Sequence, residues 1–336
     1  MIKYYSYVLT FIQLFMLTGC NKDNNREFPF TTTSILTFAY ERLWEGEDIN
    51  GLDPSTYNPV SVCQSGDTLF IANRANEADG IIILKISTGE LLKFLTEWNY
   101  NGQPEKFDNQ IIDVAVNADY IFVVNRSSRI DMFNRKDYSY VTTIGRTGWQ
   151  HSSLLQCESM EIFGDKLFIR DKRRVKVVNL SDCTPENRFK VPIFAESRDS
   201  TNENVGFKLE TVASHNQLIY VTDYQTSKIL VINPASVTEK GAPISFIRSY
   251  RMNNKPLSMD FYKNKMYVVC ENNTIVCINP ETGEIISTYT AFAGGKSWGN
   301  PGRICFSGET FYLTGRNTPS DLHQGRIMNA EISELD

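Results

Sequence analysis

LFIANR at residues 69–74 and IFVVNR at 121–126 are nearly the same six residues, written twice in one chain 52 positions apart. Four further runs continue the series: LFIRDK from Leu167, IYVTDY from Ile219, MYVVCE from Met266 and FYLTGR from Phe311. The successive spacings are 52, 46, 52, 47 and 45 residues, a period at which each repeat forms one supersecondary unit. Turn chemistry precedes every run (SGDT, NADY, FGDK, HNQ, KNK, SGET), and another apolar run precedes each turn. A third apolar segment follows, such as GIIILKI or KILVIN, then a turn such as NPETGE and a weaker fourth segment such as LLKFL or IISTY.

Four short strands repeated six times predict an all-β chain, a six-bladed β-propeller of four-stranded antiparallel blades. One blade cannot bury both of its faces, so blades stack around an axis. A second strand held between two neighbours is buried on both sides and loses the period of two, which is how these runs read. The sixth copy has strands near 303–306, 311–315 and 326–332, and the sequence then has room for no fourth. SILTFAYERL at 34–43 has no blade of its own. It is predicted to become the outer strand of the last blade, closing the ring and removing its open edges. One domain, 34–336, follows.

The succession of turn, LFIANR and GIIIL resembles NHL or YVTN-type propeller repeats, with IYVTDY…KILVINP of the fourth copy the best match. The resemblance covers about residues 60–333. It implies the fold and no activity. Tryptophan-aspartate signatures, sialidase-type Asp boxes and kelch double glycines are absent from the sequence.

The first residues belong to something else. MIKYYSYVLTFIQLFMLTGC has one basic residue, Lys3, an apolar run and small residues before Cys20, which reads as a secretory signal. Leu17-Thr18-Gly19-Cys20 resembles a bacterial lipobox, which implies lipidation of Cys20 and cleavage just before it. Residues 1–19 are then a signal peptide and 20–33 a polar tether. CNKDNNRE also resembles the tails of Bacteroidetes-type surface lipoproteins. Together these imply an outer-membrane lipoprotein, periplasm-facing or at the cell surface, attached to the membrane through its lipid.

The net charge of −5, without a dense Lys/Arg stretch, gives no electrostatic footprint for nucleic acid. Six cysteines besides Cys20 invite disulfides in an exported chain. Their register opposes this: Cys63 and Cys305 lie on diverging inner strands, and Cys270 and Cys277 are not opposite each other on their hairpin. Free, mostly buried thiols are expected.

The repeat register also places candidate binding residues. Each second run ends on the face that carries the connections between blades, so Arg74, Arg126, Lys172 and Arg316 share one position around one mouth. The inter-blade connections are expected at 41–59, 97–110, 145–156, 195–208, 247–256 and 291–301. They contain all four tryptophans, Trp44, Trp98, Trp149 and Trp298, with Tyr100 and Tyr250 beside them. A Trp in such a loop either stacks on a sugar ring or cation, or fills the seam between two blades. Eight residues before each run stand Ser61, Asp113, Ser159, Thr211, Ser258 and Arg303, each followed by an apolar residue. Alternation turns this polar set toward the central channel, where Asp113 and Arg303 break a pattern of hydroxyls.

No catalytic residue, metal or cofactor is assigned. His151 and His323 lie in loops of the favoured face and His215 on the opposite one, without metal-ligand spacing. The reading favours a monomeric binding protein that captures a glycan or other polar or anionic ligand. Arg74, Arg126, Lys172, Arg316, Trp98, Trp149, Trp298, Asp113 and Arg303 are its candidate contacts. A protein-interaction scaffold using the same face remains the alternative, as does a lyase or hydrolase built on Asp113, Arg303, His151 and Glu158.

Overall fold

The computed structural model describes residues 35–44, 48–75, 79–107, 110–126, 128–145, 153–197, 208–315 and 327–335, with the main chain alone at 35–44 and 333–335. Cys20, Trp149, His151, Arg316 and His323 lie outside the described residues, as does the side chain of Trp44.

The second strands, Thr68–Asn73, Tyr120–Asn125, Lys166–Asp171, Leu218–Asp223, Lys265–Cys270 and Thr310–Gly315, each belong to a separate sheet. Six sheets, antiparallel in their meander pairings, stand in a ring, and the chain is a six-bladed β-propeller. The third blade gains a fifth strand: Pro243–Ile244 pairs in parallel with its short outer strand Ala195–Ser197.

Six apolar clusters fill the six seams, and second strands alternate between them. Phe70 and Ala72 pack toward the second blade, whereas Leu69 and Ile71 pack toward the sixth. Phe122 and Val124 likewise face the third blade while Ile121 and Val123 face the first. This is why the runs are apolar at every position: both faces are core. The residue after each channel position, Val62, Val114, Met160, Val212, Met259 and Ile304, falls in a different one of the six clusters.

Ring closure follows the expected plan. Ile35–Trp44 is the outermost strand of the last sheet, antiparallel to Ile327–Leu335. The first and last strands of the domain thus share one blade.

Three expected loops are corrected. Residues 97–106 form a hairpin, Glu97–Tyr100 with Gln103–Lys106, turning at Asn101 and Gly102, both with positive φ. The Asn-Gly pair is the signal for such a turn. Tyr250 belongs to the outer strand of the fourth blade, Phe246–Arg251, and Trp44 ends the closing strand. The cysteines follow the expectation: Cys157, Cys183, Cys270 and Cys277 are buried, Cys63 and Cys305 half-buried, and all six are free thiols.

Candidate functional site

A recurring backbone bond fixes the mouth of the ring. The N–H of Arg74 donates to Asn58 O, Arg126 to Gln110 O, Lys172 to Gln156 O and Tyr224 to Lys208 O, each at 2.8 Å, and Glu271 to Lys255 O at 2.9 Å. Five blades therefore present the residue after the second strand in one register on one face. The residue before it ties down the incoming loop. Asn73 Nδ2 donates to Thr56 O and its Oδ1 accepts the Asn58 N–H, both at 2.6 Å. Asp171 Oδ1 accepts the N–H groups of Leu155 and Gln156 at 2.7 Å. Of the two "NR" pairs, Asn73 caps the incoming loop and Arg74 is half-buried, while Asn125 bonds Asp131 and Arg126 is exposed.

Charge is unevenly spread around this mouth. In the fourth and fifth blades the Lys208 and Lys255 ammonium groups lie 4.3 and 4.6 Å from the Tyr224 ring centroid. Lys208 pairs with Glu210 at 2.9 Å and Lys255 with Glu271 at 3.7 Å, and the Tyr224 hydroxyl donates to Glu271. That side is locally neutralised. In the first and second blades, Arg74 and Arg126 have no carboxylate within ion-pair distance among the described residues; Arg126 Nη1 donates to the Gln110 amide oxygen at 2.7 Å. Burial lowers the pKa of Arg74, the charge of Arg126 lowers it further, and the Asp79 carboxylate acts against both. Lys172 is exposed, with φ +57°.

Below the mouth, the channel encloses a cavity of about 240 Å³. Its upper tier is Ser61, Asp113, Ser159, Thr211, Ser258 and Arg303, and its second tier is Cys63, Ala115, Glu161, Ala213, Asp260 and Cys305. Every inner strand carries a bulge at or just before the upper-tier residue. A bulge re-aims a side chain, here toward the lumen.

Most of these side chains latch one blade to the next. Asp113 accepts the Met160 N–H at 3.2 Å, Ser159 the Val212 N–H at 3.3 Å and Ser258 the Ile304 N–H at 3.2 Å. Ser61 donates to Asp113 at 2.5 Å. One layer down, Asp260 accepts the Phe306 N–H at 2.7 Å, Glu161 accepts the Ser214 hydroxyl and N–H, and the thiols of Cys63 and Cys305 accept the N–H groups of Val116 and Gln64.

Arg303 departs from the pattern. Its guanidinium crosses from the sixth blade to the Ser159 hydroxyl at 3.5 Å, the Thr211 hydroxyl, and Glu158 O at 2.6 Å. Asp113 Oδ2 stands 4.0 Å from it. Asp113 and Arg303, singled out in sequence, thus meet across the lumen. Glu158 pairs with the buried Arg170 at 2.8 Å, so its carboxylate serves the seam between the third and fourth blades.

Trp98 and Trp298 sit where no ligand reaches a ring face. Trp98 stacks on Tyr140 (centroids 5.5 Å apart, 10° between planes), with Phe107 and Phe133 against its edges. Trp298 is 0% exposed, meets Phe292 edge-on at 5.4 Å and donates Nε1–H to Asn273 O at 2.9 Å. Both fill seams, the first between blades one and two and the second between five and six. Tyr250 is also structural: it is buried, donates to Pro280 O at 2.5 Å, and covers Gly283, where a Cβ would fall 2.1 Å from its ring. The lumen carboxylates were missed in the sequence, although Glu161 and Asp260 stand two residues beyond Ser159 and Ser258 in the same register.

Burial pushes Glu161 up to about 8, helped by the charges of Asp260 and Asp113, and burial pushes Asp260 up to about 6. Burial raises Cys63 to about 12, which keeps that thiol protonated at neutral pH. A carboxyl whose folded pKa is raised stabilises the fold below its unfolded value of 4.5, and this is lost as pH rises through about 8. The unfolding free energy from urea titrations should therefore fall between pH 5 and 8, by at most roughly 1.4 kcal/mol per pH unit for this group. Glu161→Gln, which keeps the shape and removes the titration, should flatten the upper part of that decline. Parallel curves for the two proteins would show that Glu161 does not titrate in this window.

The fold is a six-bladed β-propeller, which fits a binding or scaffold role, with a basic sector on one mouth above a polar lumen. No protein-family model and no curated protein sequence matches the chain. Solved structures do. The β-propeller domain of Myceliophteria thermophila Cps50 (Swd1) is 12% identical over 86% of both chains, with a TM-score of 0.56. U3-55K is 9% identical over 81% of this chain and 78% of its own, also at 0.56. At these identities the likeness is one of fold alone.

Proposed function

We propose that the protein is a lipid-anchored envelope binding protein of NHL-like, Bacteroidetes type, which captures an anionic ligand, such as an acidic glycan, on the mouth bearing Arg74 and Arg126. The observation that carries this is a pair of guanidiniums on adjacent blades in one register. The charge of Arg126 lowers the pKa of Arg74, Asp79 offsets part of this, and neither arginine has a carboxylate within ion-pair distance among the described residues. Like charges so placed cost free energy in the empty protein, and a bound carboxylate, sulfate or phosphate group offsets that cost with charge-assisted, bidentate hydrogen bonds. Lys172 extends the same register. A protein partner has less support. The large exposed apolar residues among those described, Leu92, Ile247 and Ile285, are scattered on three outer strands and form no patch around the mouth.

The test uses the full chain, solubilised in a sugar-free amine-oxide detergent, titrated with anionic and matched neutral oligosaccharides. Binding should favour the anionic set and weaken with ionic strength. Arg74→Ala with Arg126→Ala should weaken it by roughly tenfold or more while the melting temperature barely moves, since exposed polar contacts contribute little stability. A double variant that unfolds yet keeps its ligand would return these residues to a structural role. In cells the chain should fractionate with membranes and Cys20→Ala should not; equal behaviour of the two removes the lipid anchor.

A further inference from the structure

We propose that the lumen beneath Arg303 is a second binding site, separate from the basic mouth, for one ring of a neutral polyhydroxylated molecule of the sugar or polyol class.

The chemistry of the walls selects this class. The cavity of about 240 Å³ falls below the roughly 300–1,000 Å³ of drug-sized ligand pockets, a scale that suits one small ring. An apolar occupant would displace water from the Arg303 guanidinium and the tier of hydroxyls without replacing its hydrogen bonds, which is costly. A metal ion finds no set of three His, Cys, Asp or Glu side chains suitably grouped among the described residues. An anion meets one cation, Arg303, which already stands 4.0 Å from Asp113, and it faces Asp260 on the opposite wall. A compact cation is opposed by Arg303 and finds Asp260 with both oxygens engaged by backbone N–H groups, at 2.8 and 2.7 Å.

A hydroxyl group both donates and accepts, and these walls offer both complements. Arg303 and the Ser and Thr hydroxyls can donate; Asp113, Glu161 and Asp260 can accept. Ala115 and Ala213 interrupt the second tier, so two of the six blades present methyl groups there instead of acceptors. Each methyl offers a contact to a C–H edge of a ring. Arg303 is the specificity-determining residue: it is the one cationic side chain in the lining and reaches over three other blades.

Saturation-transfer NMR and calorimetry on the full chain in the same detergent, with myo-inositol and D-glucose as probes and acetate and ammonium as controls, test this. Saturable polyol binding is expected, without binding of either control ion. Arg303→Ala removes the donor, and Ala213→Leu fills the lumen; each should weaken polyol binding by about tenfold or more. Circular dichroism identifies any variant that fails to fold, and Arg303→Ala touches no latch between the sixth and first blades, so it keeps the test open should Ala213→Leu misfold. Arg74→Ala with Arg126→Ala should leave polyol binding unchanged, which separates this site from the mouth. Absence of polyol binding, preference for acetate or ammonium, or polyol binding indifferent to Arg303→Ala overturns the proposal and leaves the reading of the mouth untouched.

Discussion

Deletion of residues 35–44 is expected to abolish the single cooperative unfolding transition of the domain. That strand pairs with the last one through nine aligned positions, Ile35 with Leu335 to Trp44 with Ile327. It brings the start of the domain into the final blade, whose other described strands come from residues 301–307, 310–315 and 327–335. Each ladder hydrogen bond is worth about 0.5–1.5 kcal/mol net, so the sum approaches the roughly 5–15 kcal/mol that holds a whole domain. The exposed edge is also a template for pairing with another chain. Calorimetry and size-exclusion chromatography should show a broadened, early transition and soluble aggregates. A deletion variant that melts like the parent and stays monodisperse would mean that the seam of Ile49, Leu52 and Tyr57 with Tyr312 and Ile327 suffices for closure.

Trp298→Ala carries the second large effect. The side chain is fully buried between the fifth and sixth blades, and its Nε1–H satisfies the Asn273 carbonyl. Removing a buried Trp costs about 3–5 kcal/mol, and the unpaired carbonyl adds to this. A domain of this size should lose on the order of 10 °C in melting temperature. Affinity for a ligand at Arg74 and Arg126 should stay the same in the protein that remains folded. The opposite pattern, unchanged stability with lost binding, would make Trp298 a ligand contact and place its ring at a surface that the folded state does not expose. Together with the arginine variants, this separates residues that hold the ring from residues that meet a ligand.

Much of the architecture was legible because the repeat imposes the same physical demand six times. A second strand between two neighbours must be apolar on both faces, and LFIANR, IFVVNR and their relatives say so directly. The orphan strand at 34–43 and the missing fourth strand of the last copy were two halves of one observation, since an unpaired edge at either place has to be covered. Register likewise placed Arg74, Arg126 and Lys172 together, and brought Asp113 and Arg303 to one channel, because positions counted from a repeated motif become neighbours around an axis.

What the one-dimensional pattern left open was decided by the angles between blades. Trp98 stands in a polar connection with Asn and Gly beside it, yet it turns inward because a hairpin at 97–106 folds its ring against Tyr140. No local property of the residue reveals that. The bulges in the inner strands shift the pairing by a residue, and with it which side chains reach across a seam to the next blade's N–H groups. Glu161, Asp260, Cys63 and Cys305 become latches through that shift. Arg303 is long enough to cross the lumen only because six blades hold its opposite wall within reach. Sequence alone determined which positions of the second strands are buried and how many times the unit repeats, since that burial follows from the pattern of polarity within each unit. Only the tertiary structure decided which polar groups meet, because that depends on distances between blades far apart in the chain.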